Sequence, residues 1–429
     1  MIPQAQYNAL YAIYNSTHGD YWAWHGSEGH WDFSGQPGVD PCNWQGVLCN
    51  SSNTTILKLQ LGKYNLTGQL PLELENLDSL EILHANSNSL TGPLPPVLGN
   101  MMSLVDISLW ENFFTGTIPA ELGLLSNLKY LAVHINRLNG SIPESLGSLD
   151  NLQELYANSN SLTGPLPPVL GNMMSLVDIS LWENFFTGTI PAELGLLSNL
   201  KYLGVDTNRL NGSIPESLGS LDNLQQLYLY DNSLTGPLPP VLGNMMSLVD
   251  ISLWGNFFTG TIPAELGLLS NLKYLAVDTN RLNGSIPESL GSLDNLQQLY
   301  LYDNYLTSEI PSSFGSLSSL LFLEVNNNQL IGKIPSSLGS LSNLTRLYLN
   351  DNSLTGEIPS ELGSLTNLEY LLLFNNLLSG SIPTSFSGLV SLKNLISSNC
   401  SLTGSMEPLD GLKQLNIIML DQNKLTGTD

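Results

Sequence analysis

A period of 24 residues constrains this chain more than any other feature. From residue 56 the pattern Leu-x-x-Leu-x-Leu-x-x-Asn-x-Leu-Thr-Gly-x-Ile/Leu-Pro recurs, as in Leu104-Val105-Asp106-Ile107-Ser108-Leu109-Trp110-Glu111-Asn112. The asparagine column runs 88, 112, 136, 160, 184, 208, 232, 256, 280, 304, 328, 352 and 376, with Tyr64 before it and Cys400 after it. A 23-residue step then reaches Asn423, which makes sixteen repeats. A unit this short cannot bury its own apolar face, so neighbours must stack and share one continuous core. The 429 residues would otherwise suggest two or three globular domains.

Alternate residues of a strand point to opposite faces, so Leu at positions one, four and six of each repeat turns inward. Positions three, five and seven then face outward. The column Asn is expected to hydrogen-bond backbone groups where the chain leaves the strand, a structural task, and Cys400 in that column is expected to be a buried free thiol. The Gly and Pro of Thr115-Gly116-Thr117-Ile118-Pro119 permit a turn and an extended segment beyond it. Across residues 56–429 the pattern resembles the plant-type leucine-rich repeat of receptor-kinase ectodomains, receptor-like proteins and polygalacturonase-inhibiting proteins. That resemblance implies an α/β repeat fold, a right-handed leucine-rich-repeat solenoid that presents the concave face of a long sheet to a ligand.

Residues 1–55 have a different character. Tyr7, Leu10, Tyr11 and Tyr14 fall at i, i+3, i+4 and i+7, which predicts one amphipathic helix, and Trp22, Trp24, Trp31 and Trp44 follow in a Gly-rich stretch. Cys42 and Cys49 bound a loop short enough for a disulfide to close; the alternative is two free thiols. The Cys42–Cys49 segment is similar to the N-terminal cap of plant receptor-type repeats, whereas Ala9-Leu10-Tyr11 with Asn15-Ser16-Thr17 looks more like the caps of secreted algal and protist relatives. The tryptophans are read as a shield over the first repeat, with a sugar site as the competing reading.

Charge narrows the partners. Thirteen Lys and Arg stand against 37 Asp and Glu, a formal net charge of −24, with no basic patch. Nucleic acid is therefore excluded as a partner, since phosphate neutralisation needs Lys and Arg. No stretch reaches the ~20 apolar residues of a membrane span. The five histidines fall in no metal spacing and beside no nucleophile motif, so neither catalysis nor a metal or other cofactor has a candidate residue. Nine Asn-x-Ser/Thr sequons, at Asn15, Asn50, Asn53, Asn65, Asn139, Asn211, Asn283, Asn343 and Asn399, point with the cysteine pair to a secreted or cell-surface glycoprotein.

The most informative segment is a triplication: residues 87–158, 159–230 and 231–302 are near-identical 72-residue blocks of three repeats each. Successive copies differ at nine places, eight of them at repeat positions three, five, seven or eight. These positions are expected to lie on the outward face of the strand and its exit, so divergence there reads as diversification of a binding surface. Aromatics and acids concentrate on the same face: Asp106, Trp110, Tyr130, His134, Tyr156, Asp178, Trp182, Tyr202, Asp206, Tyr228, Tyr230, Asp250, Trp254, Tyr274, Asp278, Tyr300 and Tyr302. Such a face suits a protein, peptide or neutral polysaccharide. The alternative is a structural subunit of an extracellular fibre or matrix. The last repeat shows no recognisable cap, which would allow end-to-end self-association.

Overall fold

The computed structural model describes residues 1–26, 29–34 and 39–426. The chain forms two compact units, Met1–Asn211 and Gly212–Asp429. Both are leucine-rich-repeat solenoid.

In the first unit the expected helix spans Gln4–Ser16. Its buried face is Gln6, Ala9, Leu10 and Ile13 rather than the tyrosine stripe. Tyr11 is exposed, and Tyr7, Tyr11 and Tyr14 instead meet the ring of Phe33 at 5.1–5.5 Å. A residue one step round from the tyrosines, Gln6, goes inside because it has a backbone partner there: its Oε1 accepts from Ile56 N at 3.1 Å. Cys42 and Cys49 are disulfide-bonded with Cα atoms 5.5 Å apart. The bridge joins a short 3₁₀ turn to the strand Val47–Cys49, which pairs antiparallel with Ile56–Gln60. Trp22, Trp31 and Trp44 are buried, and the first two meet edge to face at 4.8 Å. Of the four tryptophans expected to shield the first repeat, Trp22 and Trp24 meet its Tyr64 ring at 6.4 and 6.0 Å.

In the first unit, from Ile56–Gln60 to Tyr202–Gly204, the strands facing the core pair in parallel with the next at the same repeat position, for example Asp106↔Tyr130, Tyr130↔Glu154 and Glu154↔Asp178. The second unit repeats the arrangement from Gln226–Tyr228 to Ile417–Met419. The inward leucines and isoleucines are almost wholly buried, and Phe114, Phe186 and Phe258 fill the core beyond the column asparagine.

The Asn column works as expected. Asn184 Oδ1 accepts from Leu162 N at 2.9 Å, while its Nδ2 reaches Ala157 O, Leu181 O and Trp182 O at 3.1–3.3 Å. One amide thus bonds backbone groups of two neighbouring repeats, among them Leu162 N. Cys400 is free and only half-buried, which corrects the expectation of a buried thiol. Its sulfur lies 3.4 Å from Leu373 O, so it replaces the donor half of the asparagine and none of the acceptor half.

Two further features complete each repeat. The Leu-Thr-Gly segment forms short parallel strands of its own, such as Ser161–Pro165 beside Phe185–Thr187. Beyond the proline, the chain makes a five-residue 3₁₀ turn, as in Ala192–Leu196, so the repeats carry no α-helix. A run this short that contains a glycine, Gly195 here, does not support the α form.

Candidate functional site

The strand residues that face away from the leucine core supply the candidate surface, and size decides which of them reach solvent. In the first unit, position three carries Asp106, Tyr130, Glu154, Asp178 and Tyr202 in register. Position five carries Ser108, Ala132, Tyr156, Ser180 and Gly204 beside them. Tyr156 ties two carboxylates together: its hydroxyl lies 2.9 Å from Glu154 Oε2 and 3.1 Å from Asp178 Oδ2. Burial, reinforced by the charge of Glu154 and opposed by the Tyr156 hydrogen bond, pushes the Asp178 carboxyl up to about 6. Asp106 Oδ1 and Asp178 Oδ1 are both buried without a hydrogen-bond partner. His84 Nε2 stands 2.9 Å from Asp106 Oδ2 as an ion-pair contact that lacks hydrogen-bond alignment.

At position seven, Trp110 stacks on His134 at 5.3 Å with planes 8° apart. Burial lowers the pKa of that histidine. In the second unit Tyr230 stacks on Trp254 at 4.7 Å and 11°. Trp182, the equivalent residue of the middle copy, is half-buried and has no ring stacked on it among the described residues. Which indoles are covered therefore depends on two of the divergent pairs, His134/Asp206 and Asn158/Tyr230.

Also in the second unit, Gln226 Nε2 and the Tyr228 hydroxyl both reach Asp250 Oδ2, at 3.1 and 3.4 Å. Tyr274, Tyr300 and Tyr302 form an edge-on chain at 5.6 and 6.3 Å.

The structure corrects part of the outward-facing assignment. Asp206 and Asp278 are buried, 2% and 3% exposed. Asp278 is too short to rise between Trp254 and Tyr302; it is hydrogen-bonded by Tyr302 and by Thr279 Oγ1 at 3.2 Å, and burial pushes it up to about 6. Position five in the Ala132, Gly204 and Ala276 repeats is buried too. Tyr202 folds back over Gly204 so closely that a Cβ there would meet its hydroxyl at 2.7 Å. Position eight is a turn, with Ile135, Glu183, Thr207 and Asp231 all at φ between 48° and 54°. Much of the divergence between copies therefore falls on turn and packing positions, and the exposed part of it is smaller than the alternation implied.

Sequence reasoning missed one cluster. Phe322, Glu324, Asn326, Arg346 and Asn350 share the outward face with Tyr300 and Tyr348, and Glu324 lies between those tyrosines in the ladder. An acid between two tyrosines at the same repeat position was the available signal. Tyr305, exposed on the turn side, belongs to another surface. A groove of about 910 Å³ also lies elsewhere, along Pro215, Pro239, Pro263 and Pro287. Its Ser289 hydroxyl is tied to Ala264 O at 2.6 Å, and Glu216, Glu265 and Glu288 also line it.

Of the sequon residues, Asn139, Asn211 and Asn283 are exposed at the same place in three repeats. Asn15 is exposed on the helix. Asn50, Asn53, Asn65, Asn343 and Asn399 donate their amide groups to Thr54, Asp40, Tyr21, Ser318 and Asn375 respectively.

The stacked parallel strands, the amide ladder and the outward aromatic rows define a leucine-rich-repeat protein. The chain belongs to the plant-type leucine-rich-repeat family: the leucine-rich repeat region family matches residues 112–237, 169–308 and 259–371, and the leucine rich repeat N-terminal domain matches 3–50. Among solved structures, it is similar to the PEPR1–AtPEP1 complex, at 35% identity and TM-score 0.85, over 97% of this chain and 62% of that one. It is also similar to the Arabidopsis receptor kinase HAESA solved with the peptide hormone IDA and the co-receptor SERK1, at 34% identity and TM-score 0.74, over 91% and 70% of the two chains. The Arabidopsis thaliana receptor-like serine/threonine-protein kinase FEI 2 is 44% identical over 50 residues, 12% of this chain and 8% of that protein. The chain thus spans less than a tenth of that curated relative.

Proposed function

We propose that this chain is an extracellular recognition module that binds a peptide or peptide-like segment of a protein along the outward face of its strands. The observation that carries the reading is the contrast across each strand. Leu181 is fully buried while its neighbour Trp182 is half-exposed and unstacked, and buried carboxylate oxygens on the same face lack partners. Unpaired buried acceptors cost stability and are met when a ligand supplies donors, which an extended peptide does through amides and side chains. PEPR1 and HAESA, whose structures were solved with AtPEP1 and IDA, support a peptide over a polysaccharide. The Cys42–Cys49 disulfide and the exposed sequon asparagines support the extracellular setting.

The test is to select peptides from a random nonapeptide library on the 429-residue chain and to compare Trp182→Ala with Leu181→Ala. Trp182→Ala should leave the fold intact and weaken binding by ~1–3 kcal/mol, the cost of one interface anchor. Leu181→Ala should destabilise the fold by ~2–5 kcal/mol. Selected peptides that bind every strand-face alanine variant as well as the unmodified chain would refute the reading.

A further inference from the structure

Glu324 is an anomaly on the strand face. It is only 9% exposed, yet its carboxylate has neither a hydrogen bond nor an ion pair among the described residues. The nearby cation, Arg346, is held elsewhere, with its guanidinium 4.4 Å over the Phe322 ring and 5.6 Å from the Tyr370 ring. Burial pushes the Glu324 carboxyl up to about 7, with the charge of Arg346 opposing and that of Asp278 adding. A charge buried without a partner is costly, and such a group persists where something else meets it.

Two more acceptors without partners stand beside it. Asn350 is 6% exposed; its Nδ2 donates to Asp351 Oδ2 at 2.7 Å, which fixes the amide orientation and leaves Oδ1 buried and unpartnered. Asn326 Oδ1 is buried and unpartnered as well. Asn326 follows two residues after Glu324, just past the end of the strand Phe322–Glu324 and roughly 7 Å along. Asn350 lies on the adjacent repeat, whose backbone accepts from Asn327 N at 3.0 Å. Tyr300 and Tyr348 flank Glu324 on either side. The arrangement is one carboxylate, two amide oxygens and two aromatic walls, and the two buried side-chain atoms left without partners beside Glu324 are both acceptors.

We propose that Glu324, Asn326 and Asn350 floor a subsite that takes a primary ammonium group, the side chain of a peptide lysine, between Tyr300 and Tyr348. An ammonium offers three rotatable donors on a compact charge, which suits one carboxylate and two amide oxygens on neighbouring repeats better than a planar guanidinium does. Aromatic walls add cation–π attraction. The inference rests on the peptide-binding reading above and names the chemistry of one contact in it.

The experiment uses nonapeptides with acetylated N-termini and amidated C-termini, selected from a random library on the 429-residue chain. The selected set should share a lysine. Changing that lysine to norleucine, or Glu324→Gln in the protein, should each weaken Kd at least tenfold, and the two together should cost little more than either alone. Circular dichroism establishes that Glu324→Gln is folded, and the norleucine peptide provides the same comparison without altering the protein. If selected peptides lack a cation, or lysine peptides bind the Glu324→Gln chain unchanged, the subsite is overturned. The strand-face reading survives that result when Tyr300→Ala or Trp182→Ala still weakens binding. If neither tyrosine nor tryptophan substitution matters, or if no peptide is selected, both fall.

Discussion

Ile135 adopts φ 53°, a left-handed conformation that β-branched residues rarely tolerate. The same turn position holds asparagine at Asn327, Asn375 and Asn399. Ile135→Asn should therefore raise stability by roughly 0.5–1 kcal/mol in urea denaturation, since the left-handed penalty falls while a side chain already 45% exposed loses little burial. Glu324 gives a pH-dependent case. Its folded pKa, about 7, lies above its ordinary value of 4.5, so the ionised form is the one the fold disfavours. The folded state binds the proton more tightly, so this group erodes stability as pH rises through that window and costs nothing below it. Glu324→Gln should thus stabilise the chain by on the order of 1–3 kcal/mol at pH 8 and by almost nothing at pH 4, read from the denaturation midpoint at each pH. A gain that is equal at both pH values would place the effect outside the carboxylate.

Each repeat is held less by its three-residue strand than by the asparagine that closes it. Removing the Asn184 amide strands Leu162 N in the interior, while Ala157 O, Leu181 O and Trp182 O keep Asn160 Nδ2, Asn208 Nδ2 and Ser159 N as donors, and Asn184→Ala should cost ~1–3 kcal/mol in thermal or urea unfolding. The repeat, its strand, its inward leucines and the role of this asparagine were all legible in the sequence, because each follows from spacing within 24 residues. The cap helix was legible as a helix but not in its buried face, which Gln6 joins through a hydrogen bond to Ile56, 50 residues away. The outward face was legible only in part. Whether Asp278 or Ala132 reaches solvent depends on rings in the neighbouring repeats, and alternation carries no information about neighbour size. On the flank, Arg137, Arg209 and Arg281 lie 4.6–4.7 Å over Phe113, Phe185 and Phe257, a pairing between repeats that single-repeat reading also missed.

At the scale of the molecule, a net charge of −24 favours ligands that bring positive charge, and steering of a basic peptide should weaken with salt. Exposed Asn139, Asn211 and Asn283 share one place in the repeat, away from the strand positions that carry the aromatic rows. Peptide mapping of chain secreted from a glycosylating host should find all three occupied; three bare sites would remove the support that glycosylation lends to export. The placement of the binding face is tested most directly by oxidative footprinting of the chain with a library-selected peptide, since no side chain is altered. Bound peptide should protect strand-face rings such as Tyr300 and Tyr348 from oxidation, while the flank rings Phe113, Phe185 and Phe257 react as in the free chain. Protection of the flank rings with the strand-face rings unchanged would contradict the assignment and move the binding surface to the other side of the repeats.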